Sequence, residues 1–309
     1  MPPKAIPVQA DTLPLVSIIT LNWNGTKITC EFLESTRKLT YKNYEILVCD
    51  MGSEIDPTSY INAQNYPNTR VLRSKKNLGF SGGNNWGIQQ AKGDFIFIVN
   101  NDTEVTADLL DVLISPFYED SSIGVTCPKI RYYHQPDVIQ YAGFNPINVY
   151  TGRTSAVGSK EVDKGQYNTS RFTYGAHGCA MMVKREVIEK VGAFPENFFL
   201  YYEEWDWSTR ILKAGYKIYY QAKGLIYHKE SATVGKESTL KVYYHTRNRI
   251  LYMRRNTKSY QFLVFVTFFV LFTAPKAIAK YAIAKQFKHL KSFIKGSLWN
   301  LTASKYSII

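Results

Sequence analysis

The sequence predicts an α/β fold on a mostly parallel sheet, with a helical region at its C-terminal end. Three observations carry this. Short β-branched apolar runs alternate with helix-patterned stretches over the first hundred residues. Several of these runs stop abruptly on Asn or Asp, as strands do where a parallel sheet presents a binding edge. The positive charge is also unevenly placed. Residues 1–237 hold 25 Lys+Arg and 25 Asp+Glu, whereas residues 238–309 hold 13 Lys+Arg and no acid. At 309 residues the chain can bury a large core. The expected organisation is a loose tail at 1–13, an α/β body at 14–240 and a basic, apolar region at 241–309. The tail "MPPKAIPVQADTLP" has no apolar run of the kind a leader needs. The four cysteines form no CxxC pair, which argues against a disulfide framework or structural zinc and fits a reducing compartment.

"LVSIITLNW" (Leu15–Trp23) is the first strand, and a helix is expected over Thr26–Arg37. "YEILVCD" (Tyr44–Asp50) and "TRVLRS" are the second and third strands, and "FIFIV" (Phe95–Val99) follows a glycine-rich segment. Strands spaced by helices imply βαβ units. From Ser121 to Glu237 the pattern is less regular. Lys184–Val191 reads as a helix stopped by Gly192, and Glu203–Ala214 as one stopped by Gly215. "YKIYYQ" and "GLIYH" read as two strands.

Four stretches have residue types suited to chemistry. "NLGFSGGNNWGI" combines Gly79, Gly82, Gly83 and Gly87 with Asn84 and Asn85, and reads either as a backbone cradle for a ligand or as a flexible loop before a helix. Asn100-Asn101-Asp102 ends the fourth strand. Its oxygens suit a hard divalent cation, and the competing reading is a turn in which Asp102 or Thr103 caps a helix near Ala107. In "YYEEWDWSTR", Glu203, Asp206 and Arg210 share one helix face and Glu204 points about 100° away. The flanking aromatics supply a low-dielectric setting that would raise a carboxylate toward a useful base value. The competing reading is an Asp206–Arg210 ion pair on a solvated face. His228 becomes a ligand candidate if the fold brings it to Asp102.

In order, "VSIITLNWNG", "YEILVCDMGS", "KKNLGFSGGNNWGI", "FIFIVNND", "GCAMMVKREVIEKVGAFPENFFLYYEEWDW" and "IYHKESA" resemble the GT-A glycosyltransferases of family 2. The likeness is strongest to bacterial rhamnosyltransferase-like members that build cell-surface polysaccharides, and it covers about residues 15–255. It implies a GT-A domain at 14–240, a nucleotide-sugar donor, a divalent metal (Mg2+ or Mn2+) and inversion at the anomeric carbon. It places Thr20, Asn22, Asn24 and Asp50 toward the nucleotide, and Gly82, Gly83 and Asn84 by the ribose and diphosphate. Asn100, Asn101 and Asp102 stand at the D-x-D position, so Asp102 is the expected metal ligand, His228 completes its site, and the two asparagines face donor hydroxyls. Glu203-Glu204 matches the family's Glu-Asp pair, which makes Glu204 the expected general base, with Glu203 and Asp206 beside it in the catalytic set. Met51 stands where the family has Asn. The donor expected from the resemblance is dTDP-rhamnose, with a UDP-hexose as the alternative, and the acceptor is a lipid-linked or other cell-surface glycan.

The C-terminal region adds a surface. "SYQFLVFVTFFVLFTAP" (Ser259–Pro275) is uncharged, and lysines 276, 280, 285, 288, 291 and 295 fall in one half of a helical wheel. A buried helix, a membrane span and a shallow or re-entrant segment followed by an in-plane basic helix are all open. The third is favoured, with Trp299 as an interfacial aromatic. It would put residues 259–299 on an anionic membrane surface, at the cytoplasmic face, peripheral or monotopic. Nucleic acid is disfavoured because phosphate binding has no use for the apolar run Phe262–Phe272. Two rival classes remain. A non-catalytic binding scaffold would not need Glu203, Glu204 and Asp206 together. A nucleotidyltransferase would want a basic glycine-rich loop near the N-terminus, and "LNWNGTK" is a poor one. The sequence has no signal for oligomeric state.

Overall fold

The computed structural model describes residues 13–229 and 238–306. Apart from Leu13, the expected N-terminal tail lies outside the described residues. So do Glu230, Ser231 and Ala232 of the last sequence block.

The first half is a succession of βαβ units. β1 (Val16–Asn22), β2 (Tyr44–Asp50), β3 (Thr69–Arg73) and β4 (Phe95–Val99) pair in parallel in the order β3-β2-β1-β4. Helices α1 (Thr26–Thr36), α2 (Thr58–Ala63) and α3 (Gly79–Gln90) make the crossovers. β1 and β4 are buried on both faces, which is why they read as unbroken apolar runs rather than as alternation. Parallel pairing brings the carboxyl ends of β1, β2 and β4 to one edge, with Asn22 and Asp50 in register.

The second half is mixed. It contains β5 (Thr103–Val105), α4 (Leu109–Glu119), β6 (Ile123–Tyr132), β7 (Gln135–Tyr141), β8 (Arg171–Thr173), β9 (Ala180–Lys184), α5 (Arg185–Val191), α6 (Glu203–Lys213) and β10 (Lys217–His228). The sheet continues β4-β9-β6-β10-β5, with β9 antiparallel between β4 and β6 and β10 parallel to β6. β9 therefore starts where β4 ends, and Cys179 meets Asn100 through a backbone hydrogen bond of 2.9 Å.

The structure corrects several expected elements. The glycine-rich stretch is a regular helix, α3, rather than a loop. The two expected strands at 216–228 are one strand, β10, with an irregularity between Gln221 and Leu225. Asp102 and Thr103 cap no helix; Thr103 opens β5, and α4 begins only at Leu109.

The C-terminal region is α7 (Thr239–Asn256), α8 (Ser259–Phe268), a π-helical stretch (Phe269–Thr273), α9 (Ala274–Ile283) and α10 (Phe287–Thr302). α7 is not part of a separate unit. Phe198 and Trp205 of the body join Leu251, Tyr252, Met253, Phe265, Phe269 and Phe293 in one buried cluster. The expected boundary at 240/241 thus falls within α7, which packs on the body. α8 and α9 run out as one helical segment. The chain then turns at Lys285, whose φ is +53°, and α10 returns to pack on α7. The six lysines accordingly do not form one stripe. Lys276 and Lys280 lie on α9, Lys285 in the turn, and Lys288, Lys291 and Lys295 on α10. Trp299 is half-buried and lies beneath the Arg247 guanidinium, 4.6 Å from ring centroid to Cζ.

Candidate active site

The residues expected on the nucleotide side form a closed hydrogen-bond network. Asn22 Nδ2 donates to Asp50 Oδ1 at 2.8 Å, Thr29 Oγ1 donates to Asn22 Oδ1 at 2.8 Å, and Asn101 Nδ2 donates to Thr29 Oγ1 at 2.8 Å. Ser53 gives its hydroxyl to Asp50 Oδ1 and its N–H to Oδ2, and Arg73 Nε lies 3.6 Å from Oδ2. Asn22 and Asp50 are fully buried. Asn24 sits at φ +52° in the turn after β1; its side chain accepts from the Glu54 N–H and its own N–H donates to Ser53 Oγ. Thr20 is buried with Oγ1 unpartnered. These residues frame the strand ends. The Asn101 amide nitrogen is tied to Thr29.

Gly82, Gly83 and Asn84 occupy the second turn of α3. A Cβ on Gly83 would lie 2.8 Å from Met51 Sδ and 3.1 Å from Leu21, and one on Gly87 would lie 2.7 Å from Ile19. The glycines at 83 and 87 therefore let α3 press on β1 and β2, and Met51 fills the space against Gly83. Asn84 Nδ2 donates to the Phe80 carbonyl within the helix, and Asn85 clamps Phe194 by two hydrogen bonds. At the start of α3 the N–H groups of Phe80 and Ser81 both donate to the Phe199 carbonyl. The expected cradle for a ribose and diphosphate is thus a packing helix whose first N–H groups are already engaged.

The Asp102 edge is different. β10 pairs antiparallel with β5, which sets His228 opposite Thr103. His228 Nε2 then lies 3.1 Å from Asp102 Oδ1. His228 Nδ1 is 2.8 Å from Gln140 Oε1, an oxygen that can only accept. Nδ1 therefore carries a proton, and the outer residue fixes which ring nitrogen faces Asp102. Asp102 Oδ1 is buried without a hydrogen bond. A buried carboxylate oxygen set against an imidazole that is oriented from behind is a pair of ligand types that fits a small divalent cation. Asn100 is half-buried beside it, its N–H bound to the Cys179 carbonyl.

Across this edge stands the start of α6. A Cβ on Gly178 would lie 3.9 Å from Glu204 Cβ and 3.6 Å from Phe80, so Glu204 faces the Gly178–Cys179 segment that joins Asn100. Glu203 Oε2 and Glu204 Oε2 are both buried without a hydrogen-bond partner. Burial pushes the Glu204 carboxyl up to about 7. Burial, followed by the neighbouring Glu204 charge, pushes Glu203 well above the usual carboxylate range. The carboxyl pair can therefore hold or take a proton near neutrality.

Asp206 does not join them. Its carboxylate takes Arg255 Nε at 2.7 Å, Asn256 Nδ2 at 2.8 Å and Arg210 Nε at 3.0 Å, and the residue is fully buried. The expected catalytic role for Asp206 is corrected: it is an ion-pair anchor between α6 and α7, buried rather than on a solvated face. His177 is a site residue that the sequence reading did not single out. It stacks on Phe144 at 5.7 Å, accepts the Cys179 N–H at Nδ1, and is held neutral by burial with a pKa down to about 3. Its only sequence signal is its place in "YGAHGCA", just before β9.

Residues 17–192 match the family described as Glycosyl transferase family 2. An uncharacterized Sinorhizobium fredii protein is 28% identical over 81% of this chain, but the chain spans only 28% of that relative's length. The N-acetylglucosaminyl-diphospho-decaprenol L-rhamnosyltransferase of Mycobacterium tuberculosis is 23% identical over 79% of this chain and 84% of its own. A mannosyltransferase from Pyrobaculum calidifontis, solved in complex with GDP-Man and Mn2+, superposes with a TM-score of 0.59 at 15% identity. That likeness is one of fold, and it covers 97% of this chain and 90% of the other.

Proposed function

Because the chain belongs to glycosyl transferase family 2, we propose that it is an inverting enzyme that moves a sugar from a nucleotide-sugar to a hydroxyl of a lipid-linked cell-surface glycan. The observation that carries this reading is the Glu203–Glu204 pair, whose Oε2 atoms are buried without a hydrogen-bond partner, with Glu204 set against Gly178 in the segment that leads to Asn100. In the reaction Glu204 takes the proton of the acceptor hydroxyl. The freed oxygen bonds to the anomeric carbon from the face opposite the departing diphosphate, whose C–O bond breaks. Asp102 and His228 would hold a divalent metal, Mg2+ or Mn2+. Bound there, it supplies Lewis-acid compensation for charge on the diphosphate. Rhamnose from dTDP-rhamnose is the donor we favour, and the name of the Mycobacterium tuberculosis relative supports it together with the lipid-diphosphate acceptor.

Substituting Glu204→Gln is expected to lower transfer by about 10²–10⁴-fold while donor binding, measured by calorimetry with Mn2+, stays within twofold. In the wild type, transfer falls as pH drops below about 7, because the base must be unprotonated. Near-wild-type turnover in the variant overturns the assignment.

The same reading places α8–α10 on a membrane surface as an in-plane or re-entrant hairpin. Ser259–Ile283 is long and apolar enough to cross a bilayer. Yet α10 returns to the same α7 that α8 leaves, so a crossing would drag Lys288, Lys291 and Lys295 through hydrocarbon, at considerable cost. Leu263, Val270, Leu271, Phe272, Ile283 and Phe287 are exposed along the hairpin, with lysines beside them. The intact protein should co-sediment with anionic vesicles and less with neutral ones. Equal or no binding to both removes the anionic-surface reading.

A further inference from the structure

The backbone that leads into the base is unusual. Phe199, Tyr201 and Tyr202 have φ of +64°, +69° and +71°, conformations that bulky L-residues rarely adopt. Such a segment persists only where its surroundings over-determine it. Here five consecutive carbonyls are gripped. The Asn197 and Phe198 carbonyls accept from Arg247 Nη2 at 2.8 and 2.7 Å. The Phe198, Leu200 and Tyr201 carbonyls accept from Asn248 Nδ2 at 2.9, 2.7 and 2.7 Å. The remaining carbonyl, that of Phe199, accepts from the first N–H groups of α3.

We propose that Arg247 and Asn248 are positioning residues for the transfer reaction: they hold the 197–202 backbone in the one conformation that sets Glu204 against Gly178, beside the sheet edge. The inference rests on Glu204 as the base. Arg247 Nε donates to Asn248 Oδ1 at 2.8 Å, and because a guanidinium only donates, this contact turns the Asn248 amide nitrogen toward the carbonyls. Both side chains are fully buried. Among the described residues Arg247 forms no ion pair with a carboxylate. Its charge is met by those carbonyls and by the rings of Tyr244 and Trp299, 4.7 and 4.6 Å from Cζ. A buried cation is costly to keep where an apolar residue would pack, so its retention fits a grip on backbone oxygens rather than simple adhesion of α7.

The grip is itself backed by the C-terminal hairpin. Asn300 Nδ2 of α10 donates to the Arg247 carbonyl at 3.0 Å, and a Cβ on Gly296 would lie 2.7 Å from the Tyr243 carbonyl. The hairpin that we place on the membrane is therefore mechanically joined to the base through α7.

The test uses the full chain. Asn248→Ala should lower kcat about tenfold to a hundredfold, as for a base displaced by an ångström, with donor KM and donor Kd within twofold. A role confined to folding predicts no such split, since active protein and donor affinity would fall together. Should Asn248→Ala fail to fold, Arg247→Lys keeps the buried charge while losing the bridge to two carbonyls and the lock on Asn248, and should show the same split. Wild-type kcat in either folded variant, or a matching loss of donor affinity, overturns the inference. An inactive Glu204→Gln beside a fully active Asn248→Ala would sink this inference alone. An active Glu204→Gln would sink the base itself.

Discussion

Two walls of the cleft bury carboxylates, and they do so in opposite ways. At the ends of β1 and β2, Asp50 is completely buried and fully satisfied, by Asn22, two contacts from Ser53 and the nearby Arg73. On the base side, Glu203 and Glu204 each bury an oxygen with no donor in reach. A satisfied buried carboxylate is a structural tie. An unsatisfied one carries a desolvation cost that folding alone does not explain. The contrast repeats within one helix, because Asp206, two residues beyond Glu204, is tied to Arg210, Arg255 and Asn256. Type and spacing do not separate the proposed base from the structural acids here. The hydrogen-bond partners do.

The largest test of that contrast in stability is Asp206→Ala. It would leave Arg210 and Arg255 facing a vacated site between α6 and α7, and removing one partner of a buried pair costs about 3 kcal/mol or more. A denaturant midpoint well below wild type is expected, with activity per folded molecule falling far less than in Glu204→Gln. If Asp206→Ala is as stable as wild type and as inactive as Glu204→Gln, the division between tie and base is wrong.

Much of this was legible in the sequence. The strands β1, β2 and β4 could be read because burial on both faces leaves unbroken apolar runs, whereas Asp102 and His228 were joined only through the family resemblance, and the fold does bring them to 3.1 Å. α3 was not legible. Four glycines lower its intrinsic helix preference, and the helix is imposed by close packing of Gly83 and Gly87 on Leu21, Met51, Ile19 and Cys49. The lysine stripe failed because a helical wheel assumes one continuous helix, and the left-handed Lys285 breaks it. Arg247 and Asn248 are not singled out by any sequence motif. The missed signal lay in the charge count, since a region with 13 Lys+Arg and no acid must find other acceptors for any arginine it buries. Those acceptors are backbone carbonyls almost fifty residues away, which no local pattern reports.

The smallest expected effect tests the same contrast through pH. Glu204 has an ordinary carboxyl value of 4.5 and sits near 7 in the folded chain. Between those values the folded state holds a proton that the unfolded state has released. Its contribution to stability is therefore present below pH 4.5 and is lost as pH rises through about 7. Glu204→Gln removes that loss, so the variant's Tm should gain on wild type by a few degrees between pH 5 and pH 8. Asp50→Asn puts an amide NH2 where one carboxylate oxygen accepts the Ser53 N–H and faces Arg73, and should lower Tm at both pH values. A Tm difference for Glu204→Gln that does not change between pH 5 and pH 8 would mean Glu204 ionises as a solvated carboxylate. The base-side wall would then be no different in kind from any exposed acidic helix start.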